Sequence, residues 1–459
     1  MDNYVKRGDA MRKLLCLMLA CVLITATFCS CDYGGEKETN AQESVNISFS
    51  FWEPSINNDL ENALKKVAEN YYEIHPEVKI EFISKQVNGY GEWLKEQFAS
   101  NKAPTIISDH APNALKYYKK GLVVDLKEEL SAPTPYSGET PWEEMFAEND
   151  FIKALEKVSL AWFEFGMAYY YNADLYENLG LSVPKTWDEF MSNCEIIKEH
   201  GVTPVALMAQ KDEALEWLAT YIATGMLGKT ANDFKEFDAN EDGTINKEEF
   251  ATVVQSGREP EFKKVFTESQ KAFWKAYDKY IGYTQDSIET DENEAKEQIL
   301  KGVAGHIMSG SWDLKNLYAE HKGANRMGIF RLPRFTGENG AYTDYNPYIG
   351  GVQGLCVSAC GTDKERAAAI DFLEFLFSEE QYRIFTKETM LFPTMKGYDV
   401  EEIKSRFFPE KNGSLGLICR NESVDWEYLL KIVTDKKFDY DVEAEKLYYK
   451  YYGSDEILD

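Results

Sequence analysis

Val45-Asn46-Ile47-Ser48-Phe49-Ser50-Phe51-Trp52 decides the reading of the fold, because apolar and polar residues alternate along it as in a strand with one buried face. Downstream, Leu60, Leu64, Val67, Tyr71 and Ile74 recur at helical spacing, and Pro76 ends that helix. Val78-Lys79-Ile80-Glu81-Phe82 alternates again. A second helix holds Trp93, Leu94 and Phe98, Pro104-Thr105-Ile106-Ile107 reads as a short buried strand, and a further helix stops at Gly121. Strand, helix, strand, helix, strand predicts an α/β layer with parallel pairing.

The rhythm resumes later. Met167-Ala168-Tyr169-Tyr170-Tyr171 is rich in strand formers. Thr186 with Glu189, Thr362 with Glu365, and Ser378 with Gln381 have capping-box spacing and predict three helix starts. Ala369, Phe372, Leu373 and Leu376 form an apolar helical stripe, read as core.

Upstream, Asp32 to Val45 is small, polar and charged, as in a tether. Before it, Arg12-Lys13 precedes the apolar run Leu14 to Ile24, followed by small and polar residues to Ser30 and then Cys31. The run is short for a bilayer and has the flanks of a signal peptide. Met11 is an alternative start. Phe28-Cys29-Ser30-Cys31 resembles a lipobox, which makes Cys31 the expected site of cleavage and lipidation. Plain secretion without lipid is the other reading. Of the remaining thiols, Cys194, Cys356, Cys360 and Cys419, none has zinc spacing, and buried inert thiols are expected.

The 459 residues include 28 tyrosines and 9 tryptophans, flat side chains with a polar edge that suit wet binding surfaces. The formal charge is −28, and about −30 once residues 1–30 are removed, a surface that repels phosphate backbones and argues against nucleic acid.

Asp238-Ala239-Asn240-Glu241-Asp242-Gly243-Thr244-Ile245-Asn246-Lys247-Glu248-Glu249 fits the EF-hand loop at each diagnostic position. A hard cation needs oxygens at alternate positions of a tight loop. Asp238, Asn240 and Asp242 supply side-chain oxygens, Thr244 its carbonyl, and Asn246 acts through water. Glu249 closes the shell with two oxygens, which favours Ca2+ over Mg2+. Phe234, Phe237, Phe250, Val253 and Val254 flank it on predicted helices. No second loop of this pattern occurs, so a structural staple is expected rather than a sensor.

Several stretches, in order, resemble family 1 extracellular solute-binding proteins, the class that includes maltose-binding protein. Tyr170-Tyr171-Asn172-Ala173-Asp174-Leu175-Tyr176 leads to Gly180-Leu181 and Pro184-Lys185-Thr186-Trp187-Asp188-Glu189-Phe190. Others are Pro76 to Glu81, Gly121 to Leu126, Gly305 to Trp312, Gly350-Gly351, Leu373 to Ser378 and Phe392-Pro393-Thr394. Thr105 departs from the aspartate the family often carries after proline, and the calcium loop is an addition.

The resemblance implies a two-lobed, periplasmic-binding-protein-like (type II) α/β fold with discontinuous lobes and a ligand cleft between them. The expected division is 1–30 signal peptide, 31–45 lipidated cysteine and tether, 46–160 with 300–345 as N-terminal lobe, and 161–299 with 346–459 as C-terminal lobe. The EF-hand insertion falls near 230–256. Ligands of such sheets bind beyond the carboxyl ends of the strands. Trp52, Asp109, His110 and Trp312 follow predicted strands, with Glu53 and Tyr348 as polar partners. Alignment with the family adds Trp217, Trp426 and Gly350 to the cleft. Trp93, Trp187 and Trp274 read as structural.

The function that follows is capture of a carbohydrate, an oligosaccharide, by ring stacking and hydrogen bonds. The receptor would pass it to the permease subunits of an ABC importer, outside the cell and anchored by lipid to the membrane's outer face. A secreted carbohydrate-active enzyme with paired carboxylates, and the same fold with a peptide or other polar ligand, are the alternatives.

Overall fold

The structure, a computed structural model, describes residues 44–53, 57–86, 89–147, 158–208, 212–239, 245–285, 290–319, 323–335, 348–398, 400–408, 425–434 and 437–453. The expected signal peptide, Cys31 and most of the tether lie outside these residues.

The strands are β1 Val45–Trp52, β2 Val78–Lys85, β3 Ile106–His110, β4 Leu160–Asn172, β5 Thr203–Ala206, β6 Ala304–Gly310, β7 Met327–Arg331 and β8 Gly350–Val357. The first helices are α1 Asp59–Ile74, α2 Tyr90–Ala99, α3 Ala111–Lys119, α4 Lys127–Leu130, α5 Ala173–Leu179 and α6 Trp187–Glu199. They continue with α7 Asp212–Asp233, α8 Lys247–Gln255, α9 Glu259–Ile281 and α10 Glu292–Leu300. The last are α11 Asp363–Leu376, α12 Glu379–Thr389, α13 Glu401–Lys404, α14 Trp426–Thr434 and α15 Tyr440–Tyr452. As predicted, β1 pairs in parallel with β2 and with β3.

The centre of the molecule is β4. Its 13 residues are nearly all buried, so the run lacks the alternation of a half-exposed strand. From Leu160 to Gly166 it pairs antiparallel with β8, which in turn pairs with β3. From Met167 to Asn172 it lies between β6 and β7, and β5 extends that side in parallel with β6. One strand thus belongs to both halves of the sheet.

Each half has its own core. Phe49, Phe51, Leu64, Trp162, Leu355, Phe372 and Phe385 gather in the first. Tyr169, Trp187, Tyr221, Phe262, Trp274, Tyr280 and Leu447 gather in the second. A further apolar cluster joins Tyr170, Ile307, Leu314, Ile329, Phe392 and Phe407.

This pairing corrects the expected division of the chain. Strands β6 and β7 pair with the second half of β4, not with the first sheet. Residues 350–357 join the first, and α11 and α12 pack on its core. The N-terminal lobe also runs past 160 to Gly166. Among the described residues of 346–459, Ile349, Phe407 and Leu447 pack with the second half.

The predicted capping boxes at Thr186–Glu189 and Thr362–Glu365 are formed. Ser378 does precede α12 but makes no side-chain cap. Gln381 instead accepts a hydrogen bond from Asn70 Nδ2 at 2.8 Å, tying α12 to α1. Burial pushes the Cys194 thiol up, and raises Cys356 to about 12. Cys360 departs from the buried set, being half-exposed, with Sγ 3.3 Å from Asn101 Oδ1.

Candidate functional site

Trp52 is the last residue of β1 and His110 the last of β3. These neighbouring parallel strands end on one side of the sheet, and the two rings meet at 4.7 Å. Trp52 also meets Tyr90 of α2 at 5.9 Å, edge-on. On its other side His110 lies 5.7 Å from Phe165, on β4 just before the strand crosses between the halves. Phe165 is 6.1 Å from Trp312, and Trp312 is 5.3 Å from Trp217 on α7. Six rings, from Tyr90 to Trp217, therefore run without a break across the junction of the two halves.

Trp312 is held with care. It sits in a single 3-10 turn, Ser311–Asp313, directly after β6. A Cβ at Gly310 would lie 2.3 Å from the indole, so a side chain there would displace the ring. Asp313, wholly buried, accepts from Lys296 Nζ at 2.6 Å and Ser309 Oγ at 2.5 Å. Burial alone would lower the Lys296 pKa, but Asp313 and Glu292 outweigh it and raise it, so the lysine stays charged. A buried charge pair of this kind tolerates loss of neither partner.

The expected polar partners act behind the rings. Asp109 is buried and accepts from the His110 backbone at 2.6 Å, Asn113 Nδ2 at 3.1 Å and Tyr117 OH at 2.5 Å. It orients the start of α3 and with it His110. Glu53 accepts from the backbone N–H groups of Glu61 at 2.9 Å and Leu60 at 3.4 Å. It does so at a helix start whose N-cap residue, Asn58, has left-handed backbone and no side-chain cap. Tyr348 is buried edge-on against Phe408 at 5.9 Å. A Cβ at Gly350 would lie 2.6 Å from the Phe165 carbonyl and 3.0 Å from the Phe408 ring, so this glycine serves close packing. Trp426 opens α14, but its side chain lies outside the described residues. Trp187 and Trp274 are buried in the core, as expected.

Phe165 and Tyr90 complete the path and were not foreseen. The aromatic-rich run Trp162-Phe163-Glu164-Phe165, just ahead of Tyr169-Tyr170-Tyr171, is the signal that points to Phe165. Glu164 and Asp109 do not act as a pair: Glu164 forms an ion pair with Lys404, while Asp109 holds α3.

Of the loop expected to bind calcium, Asn240, Asp242, Gly243 and Thr244 lie outside the described residues. Among the described ones, Asp238 follows a short 3-10 turn and Asn246 caps α8 by accepting from the Glu249 N–H at 3.0 Å. The Glu249 carboxylate is buried and accepts from Ala239 N at 2.9 Å and Asn246 N at 3.0 Å. One carboxylate thus spans both ends of the loop. Asp238, Asn246 and Glu249 offer only hard oxygens, a donor set that fits calcium.

Residues 57–383 match the family of bacterial extracellular solute-binding proteins. The chain belongs to that family, whose members bind a solute rather than convert it. Solved structures agree in fold. A chitin oligosaccharide binding protein aligns over 90% of this chain and 100% of its own, with 19% identity and a TM-score of 0.64. Maltose-bound MalE3 of T. maritima aligns over 89% of this chain and 98% of its own, at 16% identity and TM-score 0.64. The solute-binding protein RafE in complex with raffinose aligns over 89% and 99%, at 18% identity and TM-score 0.63. Among curated proteins, none matches this chain. Among the described residues, no helix is long and apolar enough to cross a membrane.

Proposed function

We propose that the chain captures an oligosaccharide between its two halves and delivers it to the permease subunits of an ABC importer. The observation that carries this reading is the ring path from Trp52 through His110, Phe165 and Trp312 to Trp217, with buried Tyr90 packed behind Trp52. Sugar rings present apolar faces to such a surface, and a ligand that touches both halves favours their closure. The fold neighbours named for chitin oligosaccharide, maltose and raffinose support a saccharide over a peptide. Cys31 serves as the lipid anchor on the outer face of the membrane, and residues 238–249 hold Ca2+ through Asp238, Asn240, Asp242, Thr244, Asn246 and Glu249.

A panel of oligosaccharides followed by tryptophan fluorescence and calorimetry tests the reading, with product analysis alongside. Saturable binding without turnover is expected. Binding of peptides alone, or binding unaltered in a Trp52→Ala/Trp312→Ala double variant, would overturn it.

A further inference from the structure

The end of the calcium loop leans on the C-terminus of the chain. Tyr452, in the last turn of α15, donates from its hydroxyl to the Ile245 carbonyl at 2.9 Å. Its ring lies 4.6 Å from Phe250, the first residue of α8 beyond Glu249, and 5.1 Å and 5.4 Å from Phe262 and Phe266 of α9. Ile245 is buried, and its peptide leads directly into Asn246. Loops of this type usually occur in facing pairs, where the apolar eighth residue meets its counterpart. The sequence contains no second such loop, and here the Tyr452 hydroxyl of α15 meets the carbonyl of that eighth residue, Ile245. Separate contacts hold the rest of α15 along α9: Tyr448 OH to Glu259 at 3.2 Å, Lys271 to Asp441 at 2.6 Å, and Tyr440 OH to Asp278 at 2.8 Å.

We propose that α15 is the partner of the lone loop, so that divalent-cation binding at 238–249 and docking of the C-terminal helix through Tyr452 stabilise each other. The inference rests on the reading of 238–249 as a calcium site. The Tyr452 bond fixes the 245–246 peptide before the cation arrives, which lowers the ordering cost of binding. Linkage makes the effect mutual: whatever docked α15 adds to cation affinity, the cation adds to docking.

The test uses the full chain with CaCl2 or with chelator, reading calcium affinity by calorimetry and hydrogen exchange over residues 440–452. Calcium is expected to slow exchange in α15. Tyr452→Phe keeps the ring and removes one hydroxyl–carbonyl bond, so the calcium Kd should rise about fivefold. Tyr449→Phe is the matched control. It lies on the same helix, its ring is exposed, and its hydroxyl accepts from Lys263 at 3.0 Å, away from the loop, so its Kd should equal the parent's. Absence of any calcium binding by the parent would overturn the site itself. Calcium binding with a parental Kd in Tyr452→Phe would overturn the clasp and leave the site standing. Should Tyr452→Phe not fold, unchanged α15 exchange in the parent with and without calcium decides against the clasp.

Discussion

Trp52 and His110 stand at the ends of two adjacent parallel strands and are held by ring packing, whereas Trp312 sits on a turn pinned by a buried ion pair. The two halves thus offer similar surfaces through different chemistry. The first depends on sheet register, because Trp52 and His110 meet only while β1 and β3 stay aligned. The second depends on three polar side chains, Lys296, Ser309 and Asp313, that share one buried charge balance. Damage should therefore be graded in the first half and abrupt in the second.

The largest expected effect follows from that balance. Lys296→Ala leaves the Asp313 carboxylate buried without its cation, which should cost about 3–5 kcal/mol of stability by urea unfolding. A loss under ~1 kcal/mol, the range of an exposed pair, would show that the turn does not need the charge.

Next come the rings. Trp52→Ala and Trp312→Ala should each weaken saccharide binding by about 2 kcal/mol, some 30-fold, in calorimetry, the scale of a truncated hot-spot aromatic. If only one of the two matters, the ligand rests on a single half.

The halves should also respond to pH in opposite directions. In the second, His306 bonds the Pro204 carbonyl through Nδ1 and Tyr176 through Nε2, and burial lowers its pKa from 6.5 to about 4. Between those values the unfolded chain binds a proton that the fold refuses, so stability falls as pH falls. In the first half, burial, then the charges of Asp371 and Glu129, raise Glu374 from 4.5 to about 7. There the folded state holds a proton that the unfolded chain has shed, so stability falls as pH rises through that window. Melting curves from pH 4 to 7 should show His306→Gln flattening the acid-side loss and Glu374→Gln flattening the opposite slope. Identical slopes in both variants would remove the contrast. The smallest effect is expected at Glu53. Glu53→Gln weakens a carboxylate at the start of α1 and should lower stability by roughly 0.3–1 kcal/mol in urea.

Local rules made much of the fold legible. The alternation of Val45–Trp52 and the helical stripe from Leu60 to Tyr71 sit where they were read, as do the caps at Thr186 and Thr362. The first half of β4 escaped notice because a strand buried on both faces has no alternation. Which half a strand joins was illegible for another reason. β6 and β8 look equally strand-like, and only pairing with a partner more than a hundred residues away separates them. In the cleft, strand ends pointed to Trp52, His110 and Trp312, and the structure brings them into one path with Trp217. Asp109 and Glu53 occupy the right neighbourhood, but their hydrogen bonds hold helix starts, which no spacing reveals.

The place of β8 carries a consequence for how the chain matures. It lies between β3 and β4 in the first sheet, yet its residues, 350–357, are synthesised after every other strand among the described residues. The opening segments must wait, with their pairing edges uncovered, until roughly three quarters of the polypeptide exists. Until that closure the uncovered edges are open to pairing with other chains, a hazard of large chains that fold through intermediates.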